Sequence, residues 1–276
     1  MTPVPALART IAARVARIPG IAAVALGGSH ARGTARPDSD LDLGLSYQAD
    51  RPFDLEALNS LCRDLDDSGT AVATAPGGWG PWVDGGAWLT VEGQRVDFIY
   101  RDLGRVARSV EDALAGRVSL HPQVGHPHGI HGHHYAAELA SCVPLHDPDG
   151  RLETLRARLG GYPQSLAEAL ERHYGWQPDF WLDAAEKGLK RGDRHYAQGC
   201  VYQVVMALVQ TLCARERAWI LNEKGAVALA GGLPGAPANF AARVSAALAT
   251  LDTPGLRSLV VETAQRGADG GSPNAR

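Results

Sequence analysis

The chain is poor in cysteine, lacks a basic excess, and has no apolar run of membrane-spanning length. Only four cysteines occur in 276 residues (Cys62, Cys142, Cys200 and Cys213), and no two form a Cys-x-x-Cys pair. That scatter gives neither a disulfide framework nor a thiolate zinc site, and it points to a reducing compartment. Lys and Arg total 27 against 30 Asp and Glu, a net charge of −3. A protein that lives on nucleic-acid phosphates shows the opposite balance, although a local basic pocket for one small polyphosphate remains compatible with it. The longest apolar run, Cys200 to Cys213, is interrupted by Gln203 and Gln210 and is shorter than a bilayer requires. No secretory apolar core opens the chain. Leu7, Ile11, Val15 and Ile18 recur there at helical spacing among arginines. The expectation is a soluble, cytoplasmic protein of one large or two medium domains, with no membrane and no nucleic-acid partner.

What is present alternates helix and strand in the first half. The opening helix stops at Pro19-Gly20, and Ile21 to Leu26 reads as a strand. Leu41 to Leu45 reads as a second strand, Phe53 to Asp66 as a helix, and Ala71 to Thr74 as a third strand. Pro76 to Trp82 is too dense in Gly and Pro to be anything but a loop. Trp88 to Val91 and Arg95 to Tyr100 form a hairpin pattern. After the turn cluster His146 to Gly150 the strands disappear. Helices are predicted over Leu166–Tyr174, Pro178–Arg191, His195–Arg217, Phe240–Thr250 and Pro254–Gln265, with Asp193 as a cap and a frayed tail from Gly267.

The informative segment runs Gly27-Gly28-Ser29-His30-Ala31-Arg32-Gly33, then Asp38-Ser39-Asp40-Leu41-Asp42. A strand that ends in Gly-Gly-Ser and opens a helix offers free backbone N–H groups and a hydroxyl to a phosphate, or is a plain tight turn. On a strand Asp40 and Asp42 share one face. Two such carboxylates repel unless a cation lies between them, and hard oxygen ligands suit Mg²⁺; the bland alternative is a pair of solvated acids. Asp97 projects from the face opposite Val96, Phe98 and Tyr100, where it either joins the other two acids or pairs with Arg95 or Arg101.

Gly28-Ser29, Asp40-x-Asp42 and the later strand acid Asp97 together resemble the nucleotidyltransferase superfamily with the DNA polymerase β-type palm. Within it, the layout is similar to the small antibiotic nucleotidyltransferases that modify aminoglycosides or lincosamides. The resemblance implies an α+β fold. Residues 1–147 would form a nucleotidyltransferase palm with a mixed sheet and flanking helices, and residues 148–276 a helical bundle that closes on substrate and nucleotide. It implies catalytic and metal roles for Asp40, Asp42 and Asp97, with Gly28 and Ser29 on the nucleotide's outer phosphates. Arg32 and Ser39 lie inside the motif, where Arg32 steadies phosphates or braces the loop. Mg²⁺ and ATP, or another nucleoside triphosphate, are the implied cofactor and co-substrate.

In the second half, Asp183 and Lys187 stand one turn apart on one helix face. Kanamycin-type enzymes place an acid and a lysine this way. Asp183 would then be the acceptor's base and Lys187 a phosphate contact; otherwise they make a surface ion pair. Lys224 opens a short helix, where a cation is unfavourable without an anion, and is a second phosphate candidate. Glu138, Asp179 and Glu186 are further acids suited to a polycationic acceptor. Seven histidines crowd between His121 and His146. Their spacing fits no usual zinc pattern, although His131 with His133, or His126 with His128, are the candidate ligand pairs, and a loop or plain surface histidines is the expectation. Trp79 and Trp82 either stack a ring or pack as a lid.

The function implied is transfer of a nucleoside monophosphate, AMP from ATP, to a hydroxyl of a small molecule such as an antibiotic, with release of pyrophosphate. The second reading is a toxin–antitoxin or regulatory module that adenylylates a protein partner; the third is a nucleotide binder without activity. The acceptor, and whether the chain forms a homodimer, stay open.

Overall fold

The opening helix forms where its apolar spacing predicts. In the computed structural model, which describes residues 4–270, α1 (Ala6–Val15) buries Ala8, Ile11, Ala12 and Val15. The chain continues through β1 (Ala23–Leu26), α2 (Gly28–Arg32), β2 (Leu41–Tyr47), α3 (Leu55–Leu65), β3 (Gly86–Val91), β4 (Gln94–Asp102) and α4 (Leu103–Leu114). Then come β5 (Leu120–Gln123), β6 (His126–His131), α5 (His134–Ser141), β7 (Val143–His146) and α6 (Arg151–Leu159). The later helices are α7 (Gln164–Tyr174), α8 (Gln177–Lys190), α9 (Arg194–Arg215), α10 (Ala226–Gly231), α11 (Phe240–Thr250) and α12 (Thr253–Gly270). Two compact units result. The first comprises the described residues through Glu111 with Gln123–Gly125 and Gly132–Gly161; the second comprises Asp112–Pro122, His126–His131 and Tyr162 onward.

The first unit is a five-stranded sheet in the order β3-β4-β2-β1-β7. It is mixed, because β2 and β4 run parallel while the other pairs are antiparallel. Leu41, Leu43 and Leu45 of β2 and Val96, Phe98 and Tyr100 of β4 point to one face, where Ile11, Val15, Leu58 and Cys62 of α1 and α3 complete the core. Each such side chain, fully buried, contributes about 1.5–3 kcal/mol, so the alternation fixes which face is covered. The other face carries the polar residues of both strands.

Three details depart from the sequence reading. Ala71 to Thr74 is not a strand: the Ala73 N–H is taken by the Asn59 side chain at 2.8 Å and the Thr70 N–H by Asp66 at 3.3 Å. Asp66 takes the Ala71 N–H as well, and only the Thr74 N–H reaches a strand, at the Gly86 carbonyl 2.9 Å away. The histidine-rich segment is not a loop but β5, β6, α5 and β7, with His128, His133 and His134 buried. And α12 continues to Gly270, beyond the expected fraying point; residues 271–276 lie outside the described residues.

The second unit is built around α9, whose N-terminus is capped by Asp193, the carboxylate accepting the Tyr196 N–H at 3.0 Å. At 22 residues α9 is long and apolar enough to cross a membrane. Here it is the core helix of its unit, packed against Leu182 and Ala185 of α8, Phe240 and Val244 of α11, and Leu256 and Leu259 of α12. Its two polar interruptions have partners within the unit. Gln210 donates to the His131 ring at 3.0 Å, and Gln203 hydrogen-bonds His128.

Candidate active site

Adjacent strands bring the motif residues into one row across the sheet. The N–H of Gly27, just past β1, donates to the Asp42 carbonyl at 2.8 Å. Asp42 lies opposite Asp97 in the parallel β2–β4 ladder, and Asp97 lies opposite Trp88 in the β3–β4 ladder. Opposed residues project to the same side. Asp42, Asp97 and Trp88 therefore stand side by side on the face away from the α1–α3 core.

Gly28 explains the glycine in the turn. Its φ is +59°, and a Cβ built there would fall 1.7 Å from Asp42 Oδ2. The Asp42 carboxylate thus occupies the space beside the Gly28 Cα. The single turn α2 that follows is closed by Gly33, with the Thr34 N–H on the Ser29 carbonyl at 3.0 Å.

Asp40 sits just before β2, half-exposed, with its buried Oδ1 2.6 Å from Arg95 Nε but outside hydrogen-bond geometry. Arg95 also donates to the Asp38 carbonyl at 3.0 Å, and Gln94 donates to the Ser39 carbonyl at 2.8 Å. The start of β4 thereby holds the turn that delivers the Asp-x-Asp pair. The Ser39 hydroxyl accepts the Arg36 N–H at 2.8 Å and closes that turn. Burial first, then the charges of Asp40 and Glu138, raise the Asp42 carboxyl above its ordinary value, against the opposing pull of Arg32 and His30.

Among the described residues, no three His, Cys, Asp or Glu side chains are gathered closely enough to hold a metal. Asp40 is drawn to Arg95, while Asp42 and Asp97 share the row. The donor set still suits a hard divalent cation. It is all carboxylate oxygen, and Asp42 carries repulsion that a cation would relieve.

Residues 8–73 match the family model of the nucleotidyltransferase domain. That span carries a nucleotidyltransferase domain, which supports a transferase. It holds Gly28, Ser29, Arg32, Ser39, Asp40 and Asp42; Asp97 follows on the paired strand. Among solved structures, a nucleotidyltransferase-like protein from Exiguobacterium sibiricum 255-15 aligns at 12% identity, covering 97% of this chain and 79% of that one, with a TM-score of 0.36. No curated protein matches the sequence.

A further charged group stands on the same sheet face. Arg101, opposite Ser46 in the ladder, donates from Nε and Nη2 to the Glu138 carboxylate at 2.5 and 2.6 Å. His134 Nε2 lies 3.3 Å from the same carboxylate. Burial works against this charge, but Arg101 and His134 outweigh it and hold Glu138 well below the usual carboxylate range. Arg95 thus faces Asp40 and Arg101 faces Glu138.

A depressed carboxyl gives stability that is complete above its ordinary value of 4.5 and drains away as pH falls through the lower folded value. Arg101→Met strands the carboxylate. We expect a loss of roughly 3–5 kcal/mol in denaturant unfolding at pH 7, with the deficit shrinking in acid as Glu138 protonates. An equal deficit at every pH would show that packing, not charge, is what Arg101 contributes.

The other predicted residues belong to the second unit. Asp183 does not pair with Lys187. It faces Arg257 of α12 at 2.9 Å, alongside Asp179 at 3.6 Å and Glu186 at 3.0 Å. Lys187 lines an open cavity of about 490 Å³ with Phe180, Asp183, Arg191 and Tyr196. Lys224 is exposed, its N–H on the Asn222 side chain at 2.9 Å, and Gly225 rather than Lys224 caps α10. Of the histidines, His126 pairs with Glu223 at 3.3 Å and His128 with His131 at 3.3 Å. They fasten β6 within the second unit.

Sequence reasoning missed Arg95 and Trp88 as site residues. A signal for Trp88 was present: alternation in the hairpin puts it on the polar face with Thr90, opposite an acid.

Proposed function

We propose that this nucleotidyltransferase moves AMP from ATP, with Mg²⁺, to a hydroxyl of a small molecule, an aminoglycoside-like antibiotic being the expected class. The observation behind the reading is the row of Gly28, Asp42 and Asp97, which joins the glycine–serine turn to two carboxylates. In the reaction the acceptor oxygen bonds to the α-phosphorus, the bond from that phosphorus to the β-bridging oxygen breaks, and pyrophosphate leaves. The hydroxyl proton passes to a carboxylate. A divalent cation held by Asp40, Asp42 and Asp97 would neutralise phosphate charge.

The chain's own groups then have distinct tasks. The Ser29 hydroxyl and the Gly28 turn are assigned to the outer phosphates by the resemblance, and Arg32 adds charge beside Asp42. Ser39 braces the Asp-x-Asp turn. Lys187 and Lys224 are assigned to phosphate charge by the resemblance. We assign the proton to Asp97, because the Asp183 carboxylate is already engaged with Arg257 alongside Asp179 and Glu186.

The test is incubation with labelled ATP and Mg²⁺ against aminoglycosides, lincosamides and total cell protein, read by mass shift. An AMP adduct on a small molecule is the expected result. Adducts confined to protein would select the regulatory reading, and absence of pyrophosphate release from every arm would overturn transfer.

A further inference from the structure

Beside the acids, on the side away from the Gly-Ser turn, an indole pair stands on the sheet. Trp88 is 67% exposed, unusual for so large an apolar side chain in a strand. It is not loose. Trp79 from the Gly-Pro loop stacks on it, ring centroids 4.5 Å apart and planes 17° from parallel. Gly86 makes this possible, because a Cβ there would lie 2.8 Å from the Trp79 ring. The loop itself is anchored: the Asp84 carboxylate accepts the Gly77 N–H at 2.9 Å and the Tyr47 hydroxyl at 2.6 Å. One indole face is thus fixed from behind and the other is open.

The open face looks into a cavity of about 440 Å³ lined by Asp40, Asp66, Thr70, Trp88, Arg95 and Asp97 among others. That size suits a small ligand and not a protein segment. Three carboxylates there meet a single guanidinium, and Arg95 already faces Asp40. The cavity therefore favours a cation, and an electron-rich indole face favours one too.

We infer that Trp88, backed by Trp79, is the platform on which the acceptor's ring lies, and that the acceptor is an amine-bearing ring compound. This rests on the transfer reading above and adds where the acceptor binds and by what chemistry. The register supports it. Strands lie roughly 4.8 Å apart, so Trp88 stands about two strand spacings from Asp42 and the turn at Gly28 lies on Asp42's other side. A ring on Trp88 and phosphates over Gly28-Ser29 approach the Asp42–Asp97 pair from opposite sides, as in-line displacement requires.

The experiment uses kanamycin, lincomycin and glucosamine as probes, with the full-length protein, Trp88→Ala and Trp88→Phe. Calorimetric titration of each probe without nucleotide gives binding, and pyrophosphate release with Mg·ATP gives separate KM values for probe and ATP. For a probe that wild type modifies, Trp88→Ala should weaken probe affinity and raise its KM about tenfold. The KM for ATP should stay near wild type, and Trp88→Phe should recover most of the loss. A modified probe whose KM ignores Trp88→Ala, or a loss that falls on ATP instead, overturns the platform and leaves the transfer reading standing. If wild type modifies none of the probes and labels only cell protein, or nothing, the transfer reading to small molecules fails and the platform with it.

Discussion

Asp42→Asn is expected to remove nucleotidyl transfer by roughly 10³-fold or more, the scale seen when a group that stabilises transition-state charge is lost, while leaving the protein at least as stable as before. The second half follows from the direction of the Asp42 shift. Burial and the neighbouring charge of Asp40 raise this carboxyl. The native state therefore binds its proton more tightly than the unfolded chain does, and stability falls as pH climbs from the ordinary 3.8 through the folded value. Above that value the ionised carboxylate opposes folding. Asparagine keeps the shape and drops the charge, so in chelator-treated buffer at pH 7 the variant should melt no lower than wild type. Wild type should gain melting temperature with added Mg²⁺ and the variant should gain little. A variant that keeps turnover at saturating Mg²⁺ would remove Asp42 from the chemistry. One that melts lower in chelator would show that the carboxylate is a structural hydrogen-bond acceptor instead.

Gly28→Ala is the second large effect. The methyl group would arrive 1.7 Å from Asp42 Oδ2 in a backbone held at φ +59°, so either the turn or the carboxylate must move. The left-handed conformation itself costs an alanine about 1–2 kcal/mol. Displacing a reacting group by about 1 Å costs on the order of 10²-fold in rate, and kcat/KM should drop by that amount while the far-ultraviolet circular dichroism is retained. Gly33→Ala serves as the comparison. It also has positive φ, at +71°, but closes α2 and is not the glycine packed against Asp42, so the same strain should cost stability with a smaller loss of rate. Equal rate losses in both variants would mean that turn strain alone, not crowding of Asp42, is what matters.

Much of the first unit was legible because its signals are local. Alternation over residues 41–47 and 94–102 separates a core face from an acid-bearing face, and the structure keeps that separation. What alternation does not carry is which strands become neighbours. That Asp97 falls opposite Asp42 is a matter of parallel pairing between segments more than fifty residues apart, and the sequence offered it only as a condition. The same limit hid Arg95, whose partner lies across that ladder. Ala71 to Thr74 misled for another reason, since its apolar pattern is that of a strand while its Ala71 and Ala73 donors go to the side chains of Asp66 and Asn59. The histidines misled through composition. Crowded polar side chains read as loop, yet His128 and His131 are the partners of Gln203 and Gln210, the two interruptions in the apolar run of α9.

The parallel β2–β4 ladder has a consequence for how the acceptor preference can be changed. The spacing of Asp42 and Asp97 is set by backbone hydrogen bonds between two strands, whereas Asp66 and Trp79 are carried by the connection between β2 and β3. That connection is held to the ladder by Thr74, whose backbone and hydroxyl pair with Gly86 and whose carbonyl accepts the Tyr100 hydroxyl, by Asp84 on Tyr47, and by Asp66 and Asp67 on the amides of Thr90, Glu92 and Gly93. Between these grips the positions 68–70, 72 and 76–78 are exposed and open to exchange. Libraries confined to them, with Trp79, Gly86 and Trp88 retained, would vary the shape and charge around the indole while the carboxylate geometry is inherited unchanged from the sheet.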